Sequence, residues 1–364
     1  MYGPAYLMFS KRFELSSNMG VFGNPGMIVS AHFTGSVVGI LSQTWLEKLL
    51  GTRLRLSLCG ALLALGCLGI ALSPSWILVL ISALILGLGF GGIDVSINNL
   101  FSSGYGERGA AMSNIVNALF GVGAILGPIL IGLTPGNYGI PFLLTMLFSL
   151  VVLGLFFSSL DLDAHIVKNE SSSAKNAVPI NIPVLSGFLL LFWTYVLVEV
   201  GAASSETTHL VQAFSWTEQN AAFVNSLFWG GLALGRVLIA PFTTRFSPSS
   251  IVLGSALLVA ASLSLTSIGV IAPVAYTLAG IACGPIFPTG FVWMSKALGG
   301  SLANASIVIA SANFGGVATP YVIELLSGKN IQRLPIAYLI VAVLMIASIF
   351  LIQRLSSSNK LVKT

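Results

Sequence analysis

Apolar residues fall into blocks of about twenty along this chain, the length of helix that crosses a ~30 Å hydrocarbon core. Within the blocks hydrophobicity does not alternate with period two, so the pattern points to helices rather than a closed barrel. These are the two structures that satisfy their backbone inside lipid. Eleven complete spans are expected, at about 25–45, 56–73, 76–99, 110–133, 140–160, 184–205, 221–243, 250–268, 270–294, 303–326 and 335–353. Residues 1–10 are apolar but only half a span long, and the polar run Lys11-Arg12-Phe13-Glu14 follows them. The longest polar stretch is 161–181, rich in Ser, Asn, Lys and Asp, which reads as a solvated linker. It divides the chain into a bundle over 1–160, a six-helix bundle over 182–353 and a tail over 354–364.

Composition agrees with an integral membrane protein. Hydrophobic residues make up 55% of the 364 residues and charged residues only 7%, where a soluble domain carries roughly a quarter. The net charge of +5 sits in the connections between apolar blocks, which argues against nucleic acid. Lys and Arg in those connections set orientation. Eleven lie on the side holding the linker and the tail, against four on the other, so the C-terminus is expected in the cytoplasm of a plasma or inner membrane. Residues 1–10 then form the outer end of a first helix, and the chain is expected to start inside that helix. Cys59, Cys67 and Cys283 all fall within apolar blocks, without disulfide or metal spacing.

The two halves echo each other. Gly35-x-x-x-Gly39 recurs as Gly231-x-x-x-Gly235, 196 positions on. Phe120-Gly121 with Pro128 recurs as Phe314-Gly315 with Pro320, at an offset near 194. Small residues permit close helix approach, and a shared offset points to parallel repeats about an axis normal to the membrane.

Several stretches resemble the major facilitator superfamily, in particular its fucose-permease-like sugar branch. They are Gly89-Phe90-Gly91-Gly92-Ile93-Asp94 with Asn98, Asn117-Ala118-Leu119-Phe120-Gly121, Tyr195-x-x-x-Glu199-x-Gly201, Gly235-Arg236 and Gly284-Pro285-Ile286-Phe287-Pro288-Thr289. The resemblance implies two pseudo-symmetric helix bundles rocking about a central polar cavity, with the helix that carries Glu199 among its walls. The family's acidic signature between the second and third helices is degraded. Lys48 stands at the aspartate position, ahead of Gly51 and Arg53, and Glu47 is the substitute at hand. The second-half copy, Thr243-Thr244-Arg245-Phe246-Ser247, lacks the acid too.

Charges inside spans are expensive and mark function or structural pairing. Asp94 has Asn98 one turn on, so both project from one face. They are either a solute or proton site or a polar knot that fixes packing. Glu199, followed by Gly201, Ala202 and Ala203, is a second substrate or proton candidate, and Asn117 a third. Arg236 has no acid near it on its own helix; it either pairs with Asp94 as a gate between the halves or snorkels. Glu324 reads as interfacial. His32 reads as packing or as a proton relay. Asn114, Asn225 and Asn313 offer amide donors and acceptors suited to hydroxyl-rich solutes, with interhelical hydrogen bonding the equal alternative. Trp193, Trp229 and Trp293 stack on a sugar ring or sit at the membrane interface. Pro285 and Pro288 interrupt their helix, either as a structural kink or as part of a site.

No P-loop pattern and no His/Cys metal cluster occurs, so neither an ATPase nor a cofactor enzyme is expected. The reading is a monomeric secondary transporter in a lipid bilayer, coupling a proton to a small polar solute such as a sugar, with no cofactor or metal. Efflux of drug-like amphipathic compounds is the alternative within that class; a non-transporting sensor or decayed paralogue is the alternative outside it.

Overall fold

A computed structural model describes residues 1–104, 109–158, 181–298, 302–328 and 330–361. Its described residues are helical, with no strand among them. The chain divides into two compact units, Met1–Ser172 and Ser173–Thr364.

The first unit holds α1 (Tyr2–Arg12), α2 (Met27–Leu49), α3 (Thr52–Leu72), α4 (Trp76–Gly104), α5 (Gly109–Leu133) and α6 (Gly139–Ser158). The half-length apolar segment forms α1, which runs through Lys11 and Arg12 and stops at Phe13. Phe9 locks it in place, with ring centroids 5.6 Å from Trp76 and 4.5 Å from Tyr138. In the same unit α4 packs against both α2 and α3, and α3 packs against α6.

The second unit holds α7 (Ile182–Phe214), α8 (Glu218–Ile239), α9 (Pro248–Leu265), α10 (Ala272–Cys283), α11 (Ile286–Leu298), α12 (Leu302–Ser327) and α13 (Leu334–Leu361). Its core is a large apolar cluster with Phe188, Phe192, Tyr195, Phe228, Tyr276 and Tyr338 at its centre. The expected interruption at Gly284-Pro285 is present, splitting one span into α10 and α11.

Packing inside each unit repeats, down to the glycines. Gly35 and Gly39 of α2 press on the carbonyls of Leu84 and Leu88, and Gly87 and Gly91 of α4 press back on those of His32 and Ser36. In the second unit Gly231 and Gly235 of α8 meet the carbonyls of Thr277 and Ile281, while Gly280 and Gly284 meet those of Phe228 and Leu232. A Cβ at any of these positions collides with backbone, so the GxxxG repeat reports a backbone-to-backbone crossing in both units.

Nine helices among the described residues are long and apolar enough to cross a membrane, so length and composition do not establish eleven spans. One of the helices outside that set is α2, whose Ser30, His32, Thr34, Ser36, Ser42, Gln43 and Thr44 dilute its apolar content. A larger departure concerns α7. The span expected to end near 205 continues to Phe214, 33 residues in all, or about 50 Å at 1.5 Å per residue. The polar run Ser204-Ser205-Glu206-Thr207-Thr208-His209 reads as a loop by composition, yet Glu206, Thr207 and His209 are buried and the rest half-buried. The true stop lies at Ser215, whose left-handed backbone (φ 59°) closes the helix with bonds from its own N–H to Val211 and from Trp216 N–H to Leu210. Thr217 then caps α8 by accepting from the Asn220 N–H at 3.2 Å. The linker expected at 161–181 lies, except for Asn181, outside the described residues.

Candidate functional site

A polar line runs along one face of α7. Tyr195, Glu199, Ala202, Glu206 and His209 follow one another at alternating steps of four and three residues, which stacks them on a single side of the helix. This line meets α8 in two places.

At the first, Glu199 is half-buried, close to the Tyr195 hydroxyl and within electrostatic range of the Arg236 guanidinium. Arg236, with no acid near it on its own helix, therefore has one in its own unit. At the second, Glu206 is wholly buried and accepts from Asn225 Nδ2 at 2.8 Å through Oε2. The same Nδ2 donates to the Ala203 carbonyl at 2.7 Å. Arg236 and Asn225 lie eleven residues apart on α8, three helical turns, so both project from the face that α8 presents to α7.

The outer members of the network are aromatic. His209 Nδ1 lies 2.8 Å from the Tyr276 hydroxyl of α10, and the Tyr338 hydroxyl of α13 donates to the Gly201 carbonyl at 3.3 Å. The hydroxyls of Tyr276 and Tyr338 also interact with each other. Burying so many polar groups is tolerable only where they satisfy one another.

In the first unit, Asp94 and Asn98 come together as their spacing predicts. Asn98 Nδ2 donates to Asp94 Oδ1 at 3.0 Å and to its carbonyl at 2.9 Å, and Asp94 is exposed. A polar knot that the sequence gives no sign of lies beside it. Gln43, on α2 and buried, accepts from Ser96 Oγ at 3.1 Å and donates towards the Gly39 carbonyl and Cys59 Sγ. From the first turn of α3 Arg55 reaches across to the Gln43 carbonyl of α2 at 3.5 Å and to Glu47 at 3.8 Å. With the Glu47 side chain 65% exposed, this ion pair is weak.

The remaining candidates separate by surroundings. His32 lies 3.3 Å from the Tyr2 hydroxyl through Nδ1, and its ring packs against Phe33 and Phe90. Asn114 and Asn117 belong to α5, with side chains outside the described residues. Asn313 bonds the Ile309 carbonyl of its own helix at 3.0 Å. Trp193 and Trp229 are half-buried against the second unit's core, and Trp293 meets Phe188 edge-on at 5.1 Å. Pro285 is buried and Pro288 exposed, with Glu324 half-buried near the end of α12. The cysteines are free and buried, and among the described residues no group of three His, Cys, Asp or Glu is placed to hold a metal ion.

The sequence reading misses Glu206, His209 and Gln43. For the first two a signal existed: the heptad-like continuation of the Tyr195–Glu199 face through residues assigned to a loop. Gln43 has no comparable signal, because a single amide near a helix end has many innocuous explanations.

Comparisons with known proteins place these features in a family. A sequence model of the Major Facilitator Superfamily matches residues 1–210. The chain is similar to human sodium-dependent glucose transporter 1, at 24% identity over 82% of this chain and 66% of that protein. It is also similar to the glucose/mannose transporter GlcP of Bacillus subtilis, at 23% identity over 82% of this chain and 77% of that protein. In structure it resembles the E. coli fucose:proton symporter FucP, with a TM-score of 0.56 and 19% identity over 98% of this chain and 96% of that one.

Proposed function

Because this chain belongs to the major facilitator superfamily and is a multi-pass membrane transporter rather than an enzyme, we propose that it carries a sugar or sugar-like solute by alternating access, driven by protons. The observation that carries this reading is Glu199, a carboxylate held in an apolar span beside Arg236 and Tyr195. A charge in that position costs about 2.5–3.5 kcal/mol on insertion scales, and such residues face the bundle interior, pair with one another and mark substrate or ion pathways. Asp94 with Asn98 supplies an acid–amide pair, and Asn117, Asn114 and Asn313 are amides of the kind that match a hydroxyl-rich solute. The sugars in the names of its relatives support the solute class. The reading includes a monomer in a cell membrane, with the 161–181 linker and the C-terminus cytoplasmic.

A second reading replaces the proton with sodium, favoured by the name of the human relative. Labelled-hexose counterflow in proteoliposomes of the full chain, with equal pH and sodium on both sides, tests the solute class. Exchange of glucose, mannose or fucose above empty vesicles is expected. Exchange of amphipathic cations with no sugar moving would replace the reading with drug efflux.

A further inference from the structure

The Glu206–Asn225 pair is short of one donor. Asn225 Nδ2 carries two hydrogens, and both are in use, one to the Ala203 carbonyl and one to Glu206 Oε2. Two acceptors are left over, Glu206 Oε1 and Asn225 Oδ1, both fully buried and without a hydrogen-bond partner. Their residues are 0% and 1% exposed. The adjacent Thr207 hydroxyl is buried and unpartnered as well, so it does not supply the missing hydrogen. Rotating the Asn225 amide by half a turn does not help, since it turns Oδ1 towards two acceptors and gives up both hydrogen bonds that Nδ2 makes.

We propose that Glu206 and Asn225 form a proton-binding site, in which a proton on Glu206 Oε1 is shared with Asn225 Oδ1. Acid and amide then close a ring of two hydrogen bonds, Nδ2–H to Oε2 and Oε1–H to Oδ1. One added proton matches both leftover acceptors, and no bond is broken. The groups facing this site support the assignment. From α7 there is His209, engaged with Tyr276, and from α10 and α13 there are the Tyr276 and Tyr338 hydroxyls. Among the described residues no Lys or Arg pairs with Glu206. A buried carboxylate lacking a cation is stable when neutral. A hard metal cation fits less well, because such ions gather six or more oxygens and only two leftover acceptors belong to this pair. This site is distinct from Glu199, which has Arg236 beside it. Its use in transport rests on the proton-coupled reading above; its occupancy by a proton does not.

Infrared difference spectroscopy on the purified full chain, between acid and alkaline buffers, tests the site without any solute. The wild type should show the carbonyl band of a buried carboxylic acid. Glu206→Gln should remove it, Asn225→Ala should shift it, and Glu199→Gln should leave it in place. Asn225→Ala stands as the second variant should Glu206→Gln fail to fold. A band left unchanged by Glu206→Gln, or one insensitive to Asn225→Ala, overturns the assignment. So does a Glu206 carboxylate signal that responds to sodium instead of pH. In proteoliposomes Glu206→Gln should lower solute-driven proton entry about ten-fold, within the range of coupling between two bound ligands; unchanged entry places the coupling proton elsewhere. Absence of sugar flux in the wild type would overturn the transport reading and leave the spectroscopic result standing.

Discussion

Single residues in this protein do their work by what they press on. Gly235 lets α8 lie on the Ile281 carbonyl of α10, so Gly235→Leu should force the helices apart. The cost expected is about 1–3 kcal/mol, the usual size of overpacking, read as a lower thermal midpoint of the purified protein. Gly254 of α9 faces open space. Gly254→Ala should therefore be neutral or stabilise by up to about 1 kcal/mol through helix propensity, and it serves as the matched control. The two glycines look alike in sequence except for the repeat, which marked Gly235 and ignored Gly254. Charged and amide positions were less transparent. Asp94 and Asn98 meet because four residues along a helix always meet. Glu199 and Arg236 come together through tertiary packing of α7 on α8, which no spacing within either helix reveals. Their link predicts that Arg236→Ala leaves Glu199 without its cation, and that solute-driven proton entry falls along with it. Transport unchanged in Arg236→Ala would show that the pair is structural.

Element lengths followed the apolar blocks closely where the flanking residues were plainly polar, as at the C-terminal end of α3 and the N-terminal end of α9. They failed at α7, where Ser, Thr, Glu and His continue the helix for more than two turns past the last apolar block. Composition describes the average environment of a segment, whereas burial of these side chains depends on partners that α8, α10 and α13 bring to them. What ends α7 is the left-handed backbone at Ser215, a conformation that glycine adopts more readily. Ser215→Gly should accordingly stabilise the chain by a few tenths to about 1 kcal/mol, detected as a raised thermal midpoint without change in helix content. A drop would mean that the serine side chain contributes more than its backbone strain costs. The break at Gly284-Pro285 was legible for the opposite reason: proline acts on its own backbone and needs no partner.

At the scale of the whole molecule, two units with the same internal glycine crossings follow from a repeat visible in the sequence. The repeat conveys nothing about chemistry, since the acids that matter are not repeated. The first unit has Asp94 on α4, and the second has Glu199 and Glu206 on α7. An architecture shared between halves combined with acids peculiar to each is what a transporter needs if one unit is to sense a proton that the other does not. What remains to be tested directly is proton-driven entry of a sugar. The direct measurement is internal pH in sodium-free proteoliposomes of the full chain when a hexose is added outside. The interior should acidify with glucose, mannose or fucose, and Glu199→Gln should suppress the change. Sugar entry that leaves internal pH constant and depends on added sodium would contradict proton-driven entry.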